Sequence, residues 1–211
     1  MKKFFVIIRF FFRKYFLNKI RCEFNNKLEI ANTEIINNKI YVIGTGNEIN
    51  IKARTIIHNL FIKVRGTNNK LFIENDCKIL SGSIKILGDD LNFSIGKNTT
   101  IRSFDSNLVG KGSFIKIGKD CMFGSDIKIW NGEIHPIYSK ETKIRVNKPK
   151  NIKIGDHVWI GSEVIILKDS LIEDGSVVGI RSIVKGNVSK NTVVVGSPLK
   201  KIRKNIEWKR I

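Results

Sequence analysis

The sequence predicts an all-β solenoid, specifically a left-handed parallel β-helix with three faces per coil. Aliphatic residues recur every six positions in the C-terminal half of the chain. Short β-favouring segments separated by Asn, Gly and Asp fill most of the N-terminal half. A period of six belongs neither to an amphipathic helix nor to a simple strand, which repeats every two residues. A three-sided coil explains it, because each face then places one aliphatic side chain inward.

The first segment, residues 1–24, is predicted to form a basic amphipathic helix. Within residues 1–21 the large apolar side chains are mostly three, four or seven positions apart, and seven Lys or Arg occur without an acidic residue. This composition is typical of a helix that lies in a membrane surface, where basic groups contribute about 1 kcal/mol each beside anionic headgroups. A helix packed on an oligomer or on the solenoid end is the alternative.

Residues 25–110 are predicted to form irregular coils of the same solenoid, because their six-residue spacing slips in phase. Residues 111–196 are predicted to form regular six-residue repeats, with glycine following several inward aliphatics where the backbone turns a corner. The inward residues of these repeats are Ile117, Phe123, Ile129, Ile154, Ile160, Ile166, Ile172, Val178 and Val184.

The spacing fails once, because Ile129 and Ile154 are 25 positions apart, one more than a multiple of six. The intervening residues 130–151 are polar, and a segment that breaks phase in a solenoid is normally extruded as a surface loop, often on the functional face. Residues 197–211 are predicted to form a short basic helix that begins at Pro198 and covers the last coil.

The formal net charge of +19 favours anionic partners such as acidic glycans, phosphate-bearing cofactors or anionic lipid. Nucleic-acid binding is not expected, because the aromatic residues cluster in the N-terminal segment and do not alternate with basic residues on a sheet. Three cysteines without metal-ligand spacing indicate no metal site and a reducing compartment. We therefore expect a cytoplasmic protein, peripheral on the inner face of the membrane if residues 1–21 bind lipid.

The stretch HPIYSKETKIRVNKPKNIKIGDHVWIGSEVIILKDSLIEDGSVVG (135–179) and the later VGSPLKKI (195–202) resemble the hexapeptide-repeat acetyltransferases of surface-polysaccharide gene clusters. The resemblance covers about residues 93–205, and GDHVWIG followed by ILK is specific to the capsule and sialic-acid polysaccharide O-acetyltransferases. It implies a homotrimer with active sites between subunits, acetyl-CoA as the acyl donor and a glycan as the acceptor.

The resemblance implies that His135, at the base of the extruded loop, is catalytic. A sugar hydroxyl must lose its proton while it attacks the thioester carbonyl, and a neutral imidazole is the usual base near neutral pH. Glu133 stands where the family commonly has Asp, and its carboxylate is expected on the other ring nitrogen of His135. Trp159 is expected beside the thioester, with a plain interface residue as the alternative.

By resemblance, a further set of residues contacts acetyl-CoA in the groove between subunits: Trp159, Gly179, Ser182, Lys185, Lys200 and Arg203. Where the family often reads GAGSVVTK this chain reads GIRSIVKG, which displaces its cations. The loop supplies the acceptor-binding candidates Arg145, Asn147 and Tyr138, of which Arg145 is suited to pair with an acidic sugar such as sialic acid.

The sequence therefore predicts an acetyl-CoA-dependent O-acetyltransferase in which His135 acts as general base in direct transfer. Its acceptor is expected to be a hydroxyl of a bacterial surface polysaccharide or of its sialic-acid units. Two alternatives stay open at this point: an N-acetyltransferase of an amino sugar nucleotide, and a non-catalytic β-helix binding module.

Overall fold

The computed structural model describes residues 6–8 and 17–210, and every regular element in this part of the chain is a β-strand. The first thirteen strands are β1 (Val6–Ile8), β2 (Lys19–Cys22), β3 (Lys27–Ile30), β4 (Glu34–Ile36), β5 (Lys39–Thr45), β6 (Glu48–Ile51), β7 (Ile56–His58), β8 (Leu60–Thr67), β9 (Lys70–Ile73), β10 (Lys78–Ile79), β11 (Gly82–Asp89), β12 (Asn92–Ile95) and β13 (Thr100–Ile101). The other thirteen are β14 (Phe104–Lys111), β15 (Phe114–Ile117), β16 (Met122–Phe123), β17 (Ile127–Trp130), β18 (Ile152–Ile154), β19 (Trp159–Ile160), β20 (Ile165–Leu167), β21 (Ser170–Ile172), β22 (Val177–Val178), β23 (Ile183–Val184), β24 (Asn187–Val188), β25 (Thr192–Val195) and β26 (Lys200–Lys204).

The strands form three sheets that are the faces of one solenoid. Face A has the order β1-β3-β6-β9-β12-β15-β18-β21-β24, and face B has the order β2-β5-β8-β11-β14-β17-β20-β23. Face C has the order β4-β7-β10-β13-β16-β19-β22-β25-β26. Each complete coil contributes one strand to each face, and the coil-to-coil pairs are parallel, so the predicted parallel β-helix is confirmed.

The coils of the N-terminal half are regular, which the sequence did not indicate for residues 25–110. On face B, Ile40 pairs with Ile62 and Ile62 with Ile84, so these coils repeat every 22 residues. After the loop, Ile152 pairs with Ser170 and the repeat is 18 residues. The longer coil accommodates the eight-residue strands β8, β11 and β14. The inward aliphatic residues of the N-terminal half therefore move out of a six-residue spacing from one coil to the next, although the coils themselves stack in a constant register.

Stacked aliphatic side chains fill the interior, and each buried Ile, Leu or Val contributes roughly 1.5–3 kcal/mol. A polar ladder runs beside them at the corner between faces B and A. Asn47 Nδ2 donates to Asn26 Oδ1 at 2.8 Å, and Asn69 Nδ2 donates to Asn47 Oδ1 at 2.9 Å and to Gly88 O at 2.7 Å. The Leu91 amide donates to Asn69 Oδ1 at 3.0 Å. The ladder thus satisfies the backbone groups that this corner buries.

The helix predicted for residues 197–211 is wrong, because β26 pairs antiparallel with β25 in that segment. Gly196 has φ +99°, a conformation that suits glycine and allows the chain to reverse beside β25. The basic residues then extend the open edge of face C as a strand, which covers that edge as the helix was expected to do.

The helix predicted for residues 1–24 is wrong where the chain is described, since residues 6–8 and 19–22 are strands. The rest of residues 1–16 lies outside the described residues. Among residues 6–8 and 17–210, no helix is long and apolar enough to cross a membrane.

Candidate active site

A long loop, residues 131–151, leaves the solenoid at the corner between faces B and A. Its base is closed by Asn131, which is fully buried. Asn131 Oδ1 accepts from the Val109 amide at 2.7 Å, and its Nδ2 donates to Ser113 Oγ at 2.9 Å. The Lys150 amide donates to Asn131 O at 2.9 Å, which joins the two ends of the loop. The loop therefore begins and ends at a fixed point on the solenoid.

The middle of the loop is a small antiparallel hairpin. Tyr138 and Arg145 form an antiparallel bridge, and the Val146 amide donates to Ile137 O at 2.8 Å. Two of the acceptor-binding candidates, Tyr138 and Arg145, consequently lie side by side. Tyr138 is 57% exposed, so its ring is accessible from solvent.

Asn147, the third acceptor-binding candidate, is buried and its amide is used inside the loop. Its Oδ1 accepts from the Ile137 amide at 2.7 Å and from Arg145 Nε at 3.1 Å. Its Nδ2 donates to His135 O at 2.8 Å and to Glu133 Oε2 at 3.3 Å. Asn147 thus organises the loop around His135. Its side-chain amide is hydrogen-bonded within the loop and is therefore not available to bind an acceptor sugar.

His135 lies at the exposed start of the loop. Contrary to the sequence prediction, no hydrogen bond of the residues that the structure describes joins Glu133 to the ring of His135, and Glu133 Oε2 instead accepts from Lys168 Nζ at 2.7 Å. The hydrogen bond from Lys168 lowers the pKa of Glu133 and keeps its carboxylate ionised. Within the described part of the chain no hydrogen bond engages the ring of His135, which leaves both ring nitrogens available to a substrate.

Trp159 occupies an outward position on face C and is 40% exposed. One register row of this face runs from Trp159 through Val177 and Val193 to Arg203. Adjacent strands are about 4.8 Å apart, so three steps separate Trp159 from Arg203 by about 14 Å. The structure therefore places these two candidates on one surface, with an aromatic side chain at one end and a cation at the other.

The other cofactor-binding candidates differ in how far they are exposed to solvent. Ser182 is fully buried, and its hydroxyl donates to Gly179 O at 2.7 Å and accepts from the Gly196 amide at 2.9 Å. A Cβ at Gly179 would lie 2.9 Å from the Val195 side chain, which explains the glycine. Ser182 therefore supports a backbone corner, whereas Lys185 and Lys200 are exposed and accessible to an anion.

The C-terminal tail packs back onto face C beside Trp159, a contact that sequence reasoning missed. Trp208 is 8% exposed, and its ring stacks on His157 at 4.0 Å between centroids. Its Nε1 donates to His157 O at 2.9 Å, and its ring lies 6.1 Å from that of Trp159. Arg210 Nη2 donates to Cys121 O at 2.7 Å. In the sequence, the signal for this contact is a large aromatic residue, Trp208, in an otherwise mostly basic and polar segment.

His157 is the centre of this tail contact. Its Nδ1 lies 2.6 Å from Asp120 Oδ2 and its Nε2 lies 2.9 Å from Trp208 O, so both ring nitrogens face acceptors. Only the imidazolium donates from both nitrogens. Burial of the ring opposes the charge, but the bonds to Trp208 O and Asp120 outweigh it and raise the pKa of His157.

The raised pKa of His157 predicts a pH-dependent stability. The contribution is complete below the unfolded histidine pKa of about 6.5 and is lost as the pH rises through the higher folded value. The partly exposed ring limits it to about 0.5–1 kcal/mol. We expect His157→Gln to lower the free energy of unfolding in urea more at pH 6 than at pH 9. An equal loss at both pH values would contradict the charged state assigned to His157.

Comparison with curated proteins finds short but clear similarity, although no protein-family profile matches the chain. A polysialic acid O-acetyltransferase of Neisseria meningitidis is 45% identical over 69 residues, which are 33% of this chain and 32% of that protein. The corresponding enzyme of Escherichia coli O1:K1 is 33% identical over 96 residues, 46% of this chain and 31% of that protein. The chain thus matches about a third of the length of these curated relatives.

Two solved structures agree with nearly the whole chain. The polysialic acid O-acetyltransferase OatWY superposes with a TM-score of 0.83 at 34% identity and covers 89% of both chains. The polySia-specific acetyltransferase NeuO superposes with a TM-score of 0.82 at 30% identity, covering 89% of this chain and 86% of its own. The resemblance read from the sequence is therefore confirmed, and the chain belongs to the polysialic acid O-acetyltransferase group of the hexapeptide-repeat acetyltransferases.

Proposed function

We propose that the protein is an acetyl-CoA-dependent O-acetyltransferase whose acceptor is a hydroxyl of polysialic acid or of its sialic-acid units. The observation that carries this proposal is the agreement with OatWY over 89% of both chains. The loop adds chemical support, because it presents the unengaged ring of His135 at a fixed point of the solenoid. The proposal extends to the whole chain an activity that the sequence matches cover only in part.

His135 acts as general base in this proposal. Its imidazole accepts the proton of the sugar hydroxyl while the hydroxyl oxygen attacks the thioester carbonyl of acetyl-CoA. The tetrahedral intermediate then collapses, the carbon–sulfur bond breaks, and the imidazolium returns the proton to the departing CoA thiolate. The acetyl group passes directly to the sugar, and the enzyme is regenerated without an acyl-enzyme.

Face C offers a surface that fits the acyl donor. Exposed Trp159 is suited to pack against the pantetheine arm near the thioester, and Arg203 lies on the same register row about 14 Å away. Lys200 is exposed on β26 close to Arg203, and these two cations are suited to the phosphates of CoA. Lys185 is also exposed, but it follows β23 at the corner between faces B and A and therefore lies apart from face C. The buried hydroxyl of Ser182 takes no part in this arrangement.

A homotrimer would complete the site. His135 leaves the corner between faces A and B, whereas Trp159 lies on face C, so one chain presents them on different sides of the solenoid. The loop also exposes apolar side chains that a neighbouring subunit would cover. These residues are Ile134, Ile137, Ile144 and Val146, each at least 57% exposed. We therefore place the active site between His135 of one subunit and Trp159 of the next.

The acceptor side of the proposal rests on charge. Polysialic acid is a polyanion, and the net charge of +19 favours its approach. Arg145 is partly exposed beside Tyr138 on the loop, where its guanidinium is suited to pair with a sialic-acid carboxylate.

We also propose that the basic residues 1–21 contact anionic lipid. Liposome pelleting that persists after deletion of residues 1–21 would refute that contact.

An acceptor screen tests the function. The full chain is incubated with acetyl-CoA and, in parallel, with oligosialic acid, a neutral oligosaccharide and an amino sugar nucleotide, and acetylated products are identified by mass spectrometry. We expect O-acetylation of oligosialic acid to be the fastest reaction. Preferred acetylation of the amine would support the N-acetyltransferase alternative. Absence of CoA binding by calorimetry would support a non-catalytic β-helix module.

A further inference from the structure

Lys168 connects the solenoid to the loop that carries His135. It follows β20 in the first coil after the loop, at the same corner between faces B and A. Its side chain is only 20% exposed, which is low for a lysine, and Nζ donates to Glu133 Oε2 at 2.7 Å. The ammonium group is thus held against the solenoid and directed at the loop.

The contact continues from Glu133 to His135 through Asn147. The same carboxylate oxygen, Glu133 Oε2, accepts from Asn147 Nδ2 at 3.3 Å, and Asn147 Nδ2 donates to His135 O at 2.8 Å. Asn147 is buried, and both the oxygen and the nitrogen of its amide are hydrogen-bonded within the loop. A continuous series of polar contacts therefore joins the rigid coil to the backbone of His135.

We propose that Lys168 is a positioning residue that sets the location of His135 through Glu133 and Asn147. The proposal deepens the proposed function and rests on it for its kinetic consequences. It also assigns Glu133 a role different from orienting the imidazole ring, because Glu133 Oε2 accepts from Lys168 and Asn147 and no hydrogen bond of the described residues joins Glu133 to that ring. A displacement of about 1 Å at a general base costs on the order of 10²-fold in rate. Loss of this anchor should therefore reduce turnover far more than folding stability.

The kinetic test compares Lys168→Met, which keeps the apolar stem, with Lys168→Arg, which keeps the charge. We expect kcat to fall 10- to 100-fold in Lys168→Met, with KM for acetyl-CoA within about twofold of wild type, and to recover largely in Lys168→Arg. The matched control is Lys150→Met, because Lys150 forms an ion pair with Asp169 at the same corner but has no side-chain link to His135. The control should keep kcat within about twofold of wild type.

A pH profile separates the anchor from a direct carboxylate–imidazole pair. If Glu133 held the ring of His135, Glu133→Gln would move the acidic limb of kcat/KM to lower pH, because a carboxylate favours the imidazolium. The anchor role predicts a lower plateau with the acidic limb at the wild-type pH. A clear shift of that limb would overturn the proposal.

Limited trypsin digestion tests the anchor without activity. Lys140 and Lys143 are exposed in the loop, and we expect faster cleavage there in Lys168→Met than in wild type or Lys150→Met, at unchanged melting temperature. If the wild-type protein is inactive, the proposed function is rejected, and the rate of trypsin cleavage in the loop alone then tests whether Lys168 anchors it. If His135→Ala is inactive while Lys168→Met keeps full activity and is cleaved by trypsin no faster than wild type, the anchor is rejected and the proposed function stands.

Discussion

Replacing His135 with alanine is expected to lower kcat for acetyl transfer by roughly 10²–10⁴-fold, the usual contribution of a general base. The variant loses the group that accepts the proton of the attacking hydroxyl, while Trp159 and the cations of face C are unchanged. KM for acetyl-CoA should therefore stay within about threefold of wild type. Steady-state kinetics with oligosialic acid as the acceptor measures both quantities.

The control for His135 is another histidine of the solenoid. His58 lies on face C, where its Nε2 is 3.1 Å from Glu34 Oε1, far along the chain from the loop. His58→Ala should retain kcat within about twofold, because no step of the proposed mechanism uses it. Because His135 is exposed, its alanine variant should melt at the wild-type temperature. A His135→Ala variant that keeps more than about a tenth of wild-type kcat would contradict the role of this residue.

Replacing Asn69 with leucine is expected to destabilise the fold by about 2–4 kcal/mol. Asn69 is fully buried, and leucine has a similar size but no polar atoms. The change leaves Gly88 O and the Leu91 amide without their side-chain partner at a buried corner. Each unsatisfied buried group costs about 1–3 kcal/mol. The free energy of unfolding in urea measures the loss.

The matched control for Asn69 is Asn92 on the same half of the solenoid. Asn92 is exposed, and its amide makes only a long 3.4 Å contact to Asp90 O. Asn92→Ala should change the free energy of unfolding by about 0.5 kcal/mol or less. A cost below about 1 kcal/mol for Asn69→Leu would mean that the asparagine ladder is not what satisfies this corner.

Sequence reasoning recovered the solenoid because the 18-residue coils place an inward aliphatic at every sixth position. It did not recover the regular N-terminal coils, because their 22-residue period is not a multiple of six. The C-terminal error has a different cause. The basic composition of KKIRK suits an exposed helix, but a chain reversal at Gly196 places it beside the unpaired edge of β25. Pairing with the open edge of the preceding strand overrides the local preference for helix.

The candidate site was also predicted only in part, because the loop and His135 could be located but their contacts could not. The break in spacing located the loop, and the resemblance pointed to His135 within it. The partners of the loop were not predictable, because Lys168 is 35 residues from Glu133 and meets it only once the coils stack. The burial of Asn147 likewise depends on the hairpin, and the stacking of His157 on Trp208 joins residues 51 positions apart.

A single-turnover experiment tests direct transfer by His135 most directly. Wild-type protein in excess over acetyl-CoA labelled in its acetyl group is mixed with oligosialic acid, and the label is followed by mass spectrometry on both glycan and intact protein. The proposed mechanism predicts that the label reaches sialic-acid hydroxyls without passing through the protein, and that His135→Ala slows its arrival at least about a hundredfold. Label that accumulates on the protein, or that reaches the glycan equally fast in His135→Ala, would contradict it.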